Sequence, residues 1–280
     1  MSNRIFDRDT KKAIAAALAE DIGKIDLSSF CIPKGKKIAG LIIAGEDFLL
    51  AGVNIAKEVF KQLDRKMKFR ALSKDGEWIK KKKVIAAVSG DARSMLSAER
   101  TALNFLQHLS GIATNTKKYI RKAGAKKVII LDTRKTTPGL RRLEKYATRI
   151  GGAVNHRMGL YDRILIKENH IRAAGGIRRA IDTLKKKFPG HTGNAEAEVR
   201  TIDELKEALE CGVRHVLLDN MRPGTIKKAA KIAGGRAKIE VSGGVSLQNI
   251  GKFASQNVDF ISVGRLTHAA RWVDISFQVK

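Results

Sequence analysis

Hydrophobic and polar positions change their period along this chain, and the change divides it. In the first hundred residues, helical and strand periods are mixed. Asp9 or Thr10 suits a helix cap, and Ile14, Ala17 and Leu18 then share one face of a helix running to about Asp21, which Gly23 ends. Residues 37–44 read as a strand, and 53–63 as an amphipathic helix with Ile55, Val59 and Phe60 inward. Residues 67–72 and 83–88 read as strands joined through Asp75-Gly76. Residues 97–109 are helical, with Leu103, Leu106 and Leu109 on one face.

Beyond Ala113 the order becomes regular. Short apolar runs at 128–131, 164–166, 195–199, 215–218, 238–241 and 260–263 alternate with helical stretches, and a further short strand fits 152–154. The last four runs begin about 20 residues apart, the length of one βα unit. Such alternation predicts a parallel barrel or a doubly wound sheet. No GxGxxG follows the first run, which counts against a dinucleotide-binding sheet. The pattern therefore predicts a small α+β domain followed, from about residue 113, by a parallel α/β domain of the barrel or doubly wound kind.

Polar residues gather where these strands end. Asp132-Thr133-Arg134-Lys135 follows the first run and Lys167-Glu168-Asn169-His170 the second, with Asn155-His156-Arg157 between them. Glu196 and Glu198 lie within the third, and Asp219-Asn220 follows the fourth. Ser242-Gly243-Gly244 and Gly264-Arg265 follow the last two. Barrels of this kind place their chemistry at the C-terminal ends of the strands, so the arrangement predicts an enzyme.

Each cluster suits a definite chemistry. Arg134, Arg157 and Lys167 supply fixed positive charge, and arginine grips a carboxylate at two points. His156 beside Arg157 can serve the same ligand. Glu196 and Glu198, two apart on a strand, face the same side, with Glu198 nearer the rim. Glu198 and Asp219 together can hold a divalent cation, bind sugar hydroxyls or stabilise an oxocarbenium ion. The plainer alternative is a buried carboxylate paired with an interior lysine. The glycines at 243, 244 and 264 let backbone N–H groups approach a phosphate, with a helix beginning near Leu247 after the first pair. His108, His191 and His215 read as ordinary helix-end or loop histidines. The lysine runs 80–83 and 185–187 read as solvated faces.

Composition sharpens this reading. The chain has 280 residues, 43% hydrophobic and 30% charged, which describes a globular protein with a sizeable core. Its formal net charge is +27, which favours anionic partners. Basic residues are spread along the chain and aromatics are only 5%, so a nucleic-acid stacking platform is poorly supported. Cys31 and Cys211 form neither a disulfide framework nor a metal spacing, consistent with a reducing compartment. The segment 1–21 alternates charge with alanine and lacks the apolar core of a signal peptide, and no run has the length to span a bilayer. A cytoplasmic protein with no membrane and no nucleic-acid partner is expected.

Residues 132–140, 155–161, 166–171, 196–199, 217–221, 242–245 and 263–268 resemble the quinolinate phosphoribosyltransferase family, as do Glu99-Arg100, 103–106 and 109–114. The resemblance covers nearly the whole chain in order, and it implies an α+β sandwich domain over 1–112, joined by the C-terminal segment 270–280, followed by an α/β barrel of the incomplete TIM-like type over 113–269. It implies phosphoribosyl transfer from phosphoribosyl pyrophosphate to quinolinate with decarboxylation, giving nicotinate mononucleotide, pyrophosphate and CO2 in de novo NAD biosynthesis. By similarity, Arg134, His156, Arg157 and Lys167 bind the quinolinate carboxylates, and Arg100 reaches in from a partner subunit. Lys135 contacts the donor, in the Thr133-Arg134-Lys135 segment. Glu198 and Asp219 hold its ribose and Mg²⁺, while Ser242, Gly243, Gly244, Val263, Gly264 and Arg265 cradle the 5′-phosphate. Lys135, Lys167, Glu198 and Asp219 would carry the catalysis.

The resemblance also implies a homodimer with shared active sites, or a higher oligomer. Competing readings are a phosphoribosyltransferase for another pyridine carboxylate and a polyanion-binding barrel. Three departures stand out. Lys24-Ile25 interrupts the family's Glu-Asp-x-Gly-x-Gly-Asp-Leu-Thr pattern, Ala269 replaces a frequent serine, and Arg265 stands where a smaller residue is common. Arg265 would either add a phosphate contact or point to solvent.

Overall fold

The structure, a computed structural model, describes residues 7–124, 128–189 and 195–280. His191 and the first six residues, on which part of the sequence reading fell, lie outside the described residues. Strands in chain order are β1 (Lys37–Ala44), β2 (Phe48–Leu49), β3 (Lys68–Ala71), β4 (Trp78–Ile79), β5 (Val84–Asp91), β6 (Ile129–Leu131), β7 (Leu165–Ile166), β8 (Glu196–Val199), β9 (His215–Asp219), β10 (Lys238–Ser242), β11 (Phe260–Ser262) and β12 (Ile275–Val279). Two compact units emerge. One holds the described residues up to 117 with 136–152 and 267–280; the other holds 118–135 and 153–266.

The first unit is built on an antiparallel sheet of order β12-β1-β5-β3. The helix Arg8–Ile22 starts at Asp7, whose side chain accepts the Thr10 N–H, and buries Ile14 and Leu18. Val53–Leu63 buries Ile55, Val59 and Phe60, the face expected from its periodicity. Asp26 takes a hydrogen bond from the Ser97 hydroxyl at 2.6 Å, tying the turn after the Lys24-Ile25 departure to the long helix Ala92–Ala123.

That helix is the largest difference from the sequence reading, which ended the segment near residue 109. It runs for 32 residues, and the Ser110-Gly111 pair within it is used for packing. A Cβ at Gly111 would sit 2.2 Å from the Arg271 carbonyl oxygen, and Ser110 Oγ both accepts the Ala51 N–H and donates to its carbonyl. The first unit also takes in residues 136–152 from the middle of the chain. The helix Arg141–Ile150 belongs to the first unit because Leu143 and Ala147 pack into its core with Leu106, Leu109 and Val273.

The second unit carries a six-stranded parallel sheet of order β6-β11-β10-β9-β8-β7. Leu131 of β6 also bridges Val154 in parallel on its other side. Among the described residues no ladder joins Val154 to β7, so the barrel is incomplete there. Alternation sorts the side chains into two environments. Ala197, Val199, Val216, Leu218, Ile239, Val241 and Ile261 pack outward against helix residues such as Leu205, Ala208, Ile226 and Ala229. The register aligns Glu196 with His215 and Glu240 with Leu217 and Phe260, so these point to the interior. The core lies between sheet and helices, and the barrel interior is polar.

Candidate active site

Asp132, at the end of β6, anchors one side of the barrel mouth. It is fully buried, accepts the His156 backbone N–H at 2.9 Å, and takes a bond from Asn155 Nδ2 at 2.6 Å. This fastens 155–157 beside the Thr133-Arg134-Lys135 turn, where Thr133 Oγ1 accepts the Lys135 N–H at 3.0 Å. Arg157 is buried, and its Nη1 donates to the Arg163 carbonyl at 2.9 Å. Burial first, and then repulsion from Arg134, hold the Arg157 guanidinium below the usual arginine range. Arg134 Nε is itself buried without a hydrogen-bond partner. A buried and a half-buried cation that repel each other, one of them with an unused donor, suit an anion.

Lys167 is exposed after β7 at the start of the helix Glu168–Ala174, and its backbone N–H donates to His170 Nδ1 at 3.0 Å. Its charge and that of Arg200 act on Glu198 across the rim. Burial and then the like charge of Asp219 push the Glu198 carboxyl up, against a 3.4 Å bond from the Glu168 N–H. Asp219 Oδ2 accepts Asn220 Nδ2 at 2.8 Å and Arg200 Nε and Nη2 at 3.3 Å each. Glu198 and Asp219 therefore form a paired oxygen set at the rim, opposed by cations.

Ser242 continues this rim at the end of β10. Its carbonyl accepts the Asn220 N–H at 2.9 Å, and Gly243 sits so close that a Cβ would be 2.2 Å from Asn220 Oδ1. Gly243 has φ +91 and Gly244 φ +59, so both adopt conformations that favour glycine. The helix expected near Leu247 begins only at Ile250 and spans five residues. Backbone groups of the loop, rather than a helix dipole, are thus what this turn presents. After β11, Val263 is buried with its N–H bonded to the Leu131 carbonyl, Gly264 is half-buried, and Arg265 is exposed. Arg100, on the long helix of the first unit, is exposed.

Inside the barrel lies a network that sequence reasoning underread. Glu196 is fully buried and pairs with Arg163 Nη2 at 2.9 Å and His156 Nε2 at 3.3 Å; its partner is arginine and histidine, not the interior lysine considered as an alternative. Glu240, also fully buried, lies 3.2 Å from His215 Nε2 and 3.5 Å from His156 Nε2. His215 is therefore a strand residue of the interior, stacked on Phe260 at 5.2 Å, and not a loop or helix-end histidine. His108 likewise sits within a helix, 2.9 Å from the buried Glu144. Glu240, Arg163 and Arg200 carried no motif. Only the inward parity of Glu240 on its strand marked it.

His156, Glu196 and Glu240 place three ligand atoms within 4.8 Å of one another, close enough for a metal ion. The protons argue otherwise. His156 Nδ1 accepts the Arg157 N–H at 2.7 Å, so the ring proton is on Nε2, facing both carboxylates as a donor. Burial lowers the His156 pKa, but bonds to Glu196 and Glu240 and their charges outweigh it and raise it to about 9. A second proton at Nδ1 must displace the Arg157 N–H, and the charge of two carboxylates exceeds that one dipole. Nε2 carries a proton in either state, so the cluster is an ion-pair network.

A barrel with cations on one side of its C-terminal rim and a carboxylate pair with glycine turns on the other defines an anion-handling α/β-barrel enzyme. The comparisons make this specific. Residues 25–110 match the family description "Quinolinate phosphoribosyl transferase, N-terminal domain", and 112–278 match its C-terminal domain. A Bacillus subtilis relative named probable nicotinate-nucleotide pyrophosphorylase [carboxylating] is 42% identical over 269 residues, covering 96% of this chain and 93% of that protein. A solved nicotinate-nucleotide pyrophosphorylase from Francisella tularensis superposes with TM-score 0.92 at 39% identity, covering all of both chains. NadC from Streptococcus pyogenes gives TM-score 0.94 at 37% identity over 100% of this chain and 99% of that one. The chain belongs to the quinolinate phosphoribosyl transferase family.

Proposed function

We propose that this protein transfers the phosphoribosyl group of phosphoribosyl pyrophosphate to quinolinate and decarboxylates the adduct, forming nicotinate mononucleotide, pyrophosphate and CO2 for NAD biosynthesis. The observation that carries the reading is buried Arg157 beside half-buried Arg134, whose Nε is an unused donor, on a rim that also holds Glu198 and Asp219. A dicarboxylate next to a phosphorylated sugar matches both halves.

In this reading Arg134, Arg157 and Lys167 grip the two carboxylates of quinolinate, with His156 adding charge from below. Lys135 meets the pyrophosphate of the donor. Ser242, Gly243, Gly244, Val263, Gly264 and Arg265 enclose the 5′-phosphate, largely through backbone N–H groups. As the anomeric C–O bond breaks, its electron pair leaves with pyrophosphate, and Glu198 and Asp219 stabilise the positive charge left on the ribose. The fixed cations hold the ring nitrogen in line to form the new C–N bond. That nitrogen is then cationic, so the adjacent carboxylate departs as CO2, its bonding pair goes to the ring, and a proton takes its place.

Glu198 and Asp219 also fit Mg²⁺, because hard oxygen donors that repel each other at an accessible rim suit a divalent cation. When bound, Mg²⁺ offsets charge on the departing pyrophosphate. Exposed Arg100 fits a homodimer in which it completes the dicarboxylate site of the other subunit. The free thiols Cys31 and Cys211 fit a reducing cytoplasm. No helix among the described residues is long and apolar enough to cross a membrane.

The test is an assay of pyrophosphate and CO2 from quinolinate, phosphoribosyl pyrophosphate and Mg²⁺. Turnover with nicotinate but not quinolinate would overturn the reading. Mixing Arg100→Ala with Lys167→Ala protein, once mixed dimers are shown to form, should restore part of the activity lost in each.

A further inference from the structure

Arg200 follows β8 directly and lies between the carboxylates of the rim. Its Nη1 is in close contact with Glu168 Oε2, while Nε and Nη2 both reach Asp219 Oδ2 at 3.3 Å. Asn220 Nδ2 donates to that same oxygen at 2.8 Å, so Asp219 Oδ2 faces three donors. An oxygen so engaged has little lone-pair density left for a hard cation, which needs direct coordination. Glu168 is held in turn by Arg172 at 2.8 Å, and its own N–H points to Glu198 Oε1. Arg200 is about half exposed, at 45%, so it can swing away from Asp219 while Glu168 keeps it at the rim.

We propose that Arg200 is a resident counter-cation of the Asp219 carboxylate, standing where a divalent cation must bind and yielding that place when the cation arrives. The inference rests on the reading above that Glu198 and Asp219 hold the metal. It assigns Arg200 a positioning role: it neutralises the acidic rim of the free protein and weakens metal binding in the absence of donor. A single positive charge at this distance, partly screened by solvent, sets the scale of the effect at roughly five- to tenfold in affinity.

Binding of Mn²⁺ alone to the full-length protein, read by the loss of the free-ion electron paramagnetic resonance signal, tests this without turnover. Arg200→Gln should bind Mn²⁺ about five- to tenfold more tightly than the unaltered protein. Arg200→Lys, which keeps the charge, should fall between the two, and this step separates charge from a change in folding. Asp219→Asn should abolish the binding in either background. Equal or weaker Mn²⁺ binding by Arg200→Gln, with binding still lost in Asp219→Asn, overturns the role of Arg200 and leaves the metal reading standing. Mn²⁺ binding that survives Asp219→Asn overturns the metal reading itself. Absence of measurable binding by both the unaltered protein and Arg200→Gln overturns the proposal.

Discussion

The backbone N–H of His156 donates to Asp132 Oδ1 at 2.9 Å, joining residues 24 apart in the chain. Through this bond, and a second from Asn155, the end of β6 determines where His156 and Arg157 stand. A buried carboxylate thus sets the place of the two basic residues that follow Asn155.

Asp132→Ala should therefore affect both stability and binding. It removes two hydrogen bonds at a fully buried position and leaves the His156 N–H without its acceptor. The expected loss is about 2–4 kcal/mol in urea denaturation. The KM for quinolinate should rise more than that for phosphoribosyl pyrophosphate, since the displaced segment carries Arg157. Equal changes in the two KM values would speak against this linkage.

Arg163→Met removes the nearest cation from Glu196, which is fully buried. Left with the more distant imidazoles of His156 and His215, the carboxylate inside the barrel is poorly compensated, so the variant should lose about 3 kcal/mol of stability. Adding Glu196→Gln should recover part of that loss, and a double-mutant cycle measures the coupling. Strict additivity of the two substitutions would contradict the pairing.

His156 supplies a pH dependence of definite sign. Its pKa is raised from the ordinary 6.5 to about 9, so the folded state binds the proton more tightly than the unfolded chain does. The resulting stabilisation is complete below about pH 6.5 and is lost as pH rises through about 9, amounting to roughly 1–3 kcal/mol. The stability gap between the unaltered protein and His156→Gln should narrow over that range, as followed by urea denaturation from pH 6 to pH 10. A constant gap would exclude the titration.

Tyr146 offers a check within the first unit. Its hydroxyl donates to Asp75 Oδ2 at 2.5 Å, and Asp75 Oδ1 accepts the Val53 N–H at the start of the helix Val53–Leu63. Burial, followed by the Asp75 charge and this bond, pushes the phenol above the usual tyrosine range. In an alkaline titration at 295 nm, the transition above the usual tyrosine range should disappear in Tyr146→Phe. The same variant should be about 1–2 kcal/mol less stable.

Much of this protein was legible along the chain because its signals are local. A strand buried on its outer face must alternate with helices that cover it, so six apolar runs with helical stretches between them, the last four about 20 residues apart, marked a parallel α/β domain before any contact was known. Glycines 243 and 244 were readable because positive φ at the end of a strand demands that residue. The clusters at 132–135, 155–157 and 167–170 stood out because cations seldom gather at strand ends without an anion to meet. Family membership followed from the same segments.

What the order of residues did not reveal depends on distance in space. Ser110-Gly111 has the composition of a helix stop, yet it lies inside a helix, and only the Arg271 carbonyl packed against Gly111 explains the glycine there. His215 and Glu240 are 25 positions apart and show no spacing of their own, yet adjacent parallel strands bring them within 3.2 Å. Arg200 looked like one more charge on a basic chain until the barrel placed Glu168 and Asp219 on either side of it. Periodicity and turn chemistry act between near neighbours, so the sequence alone determined the elements, their alternation and the residue types at the rim. Pairing of buried charges acts between groups remote in the chain, so only the tertiary structure decided which carboxylate each cation serves.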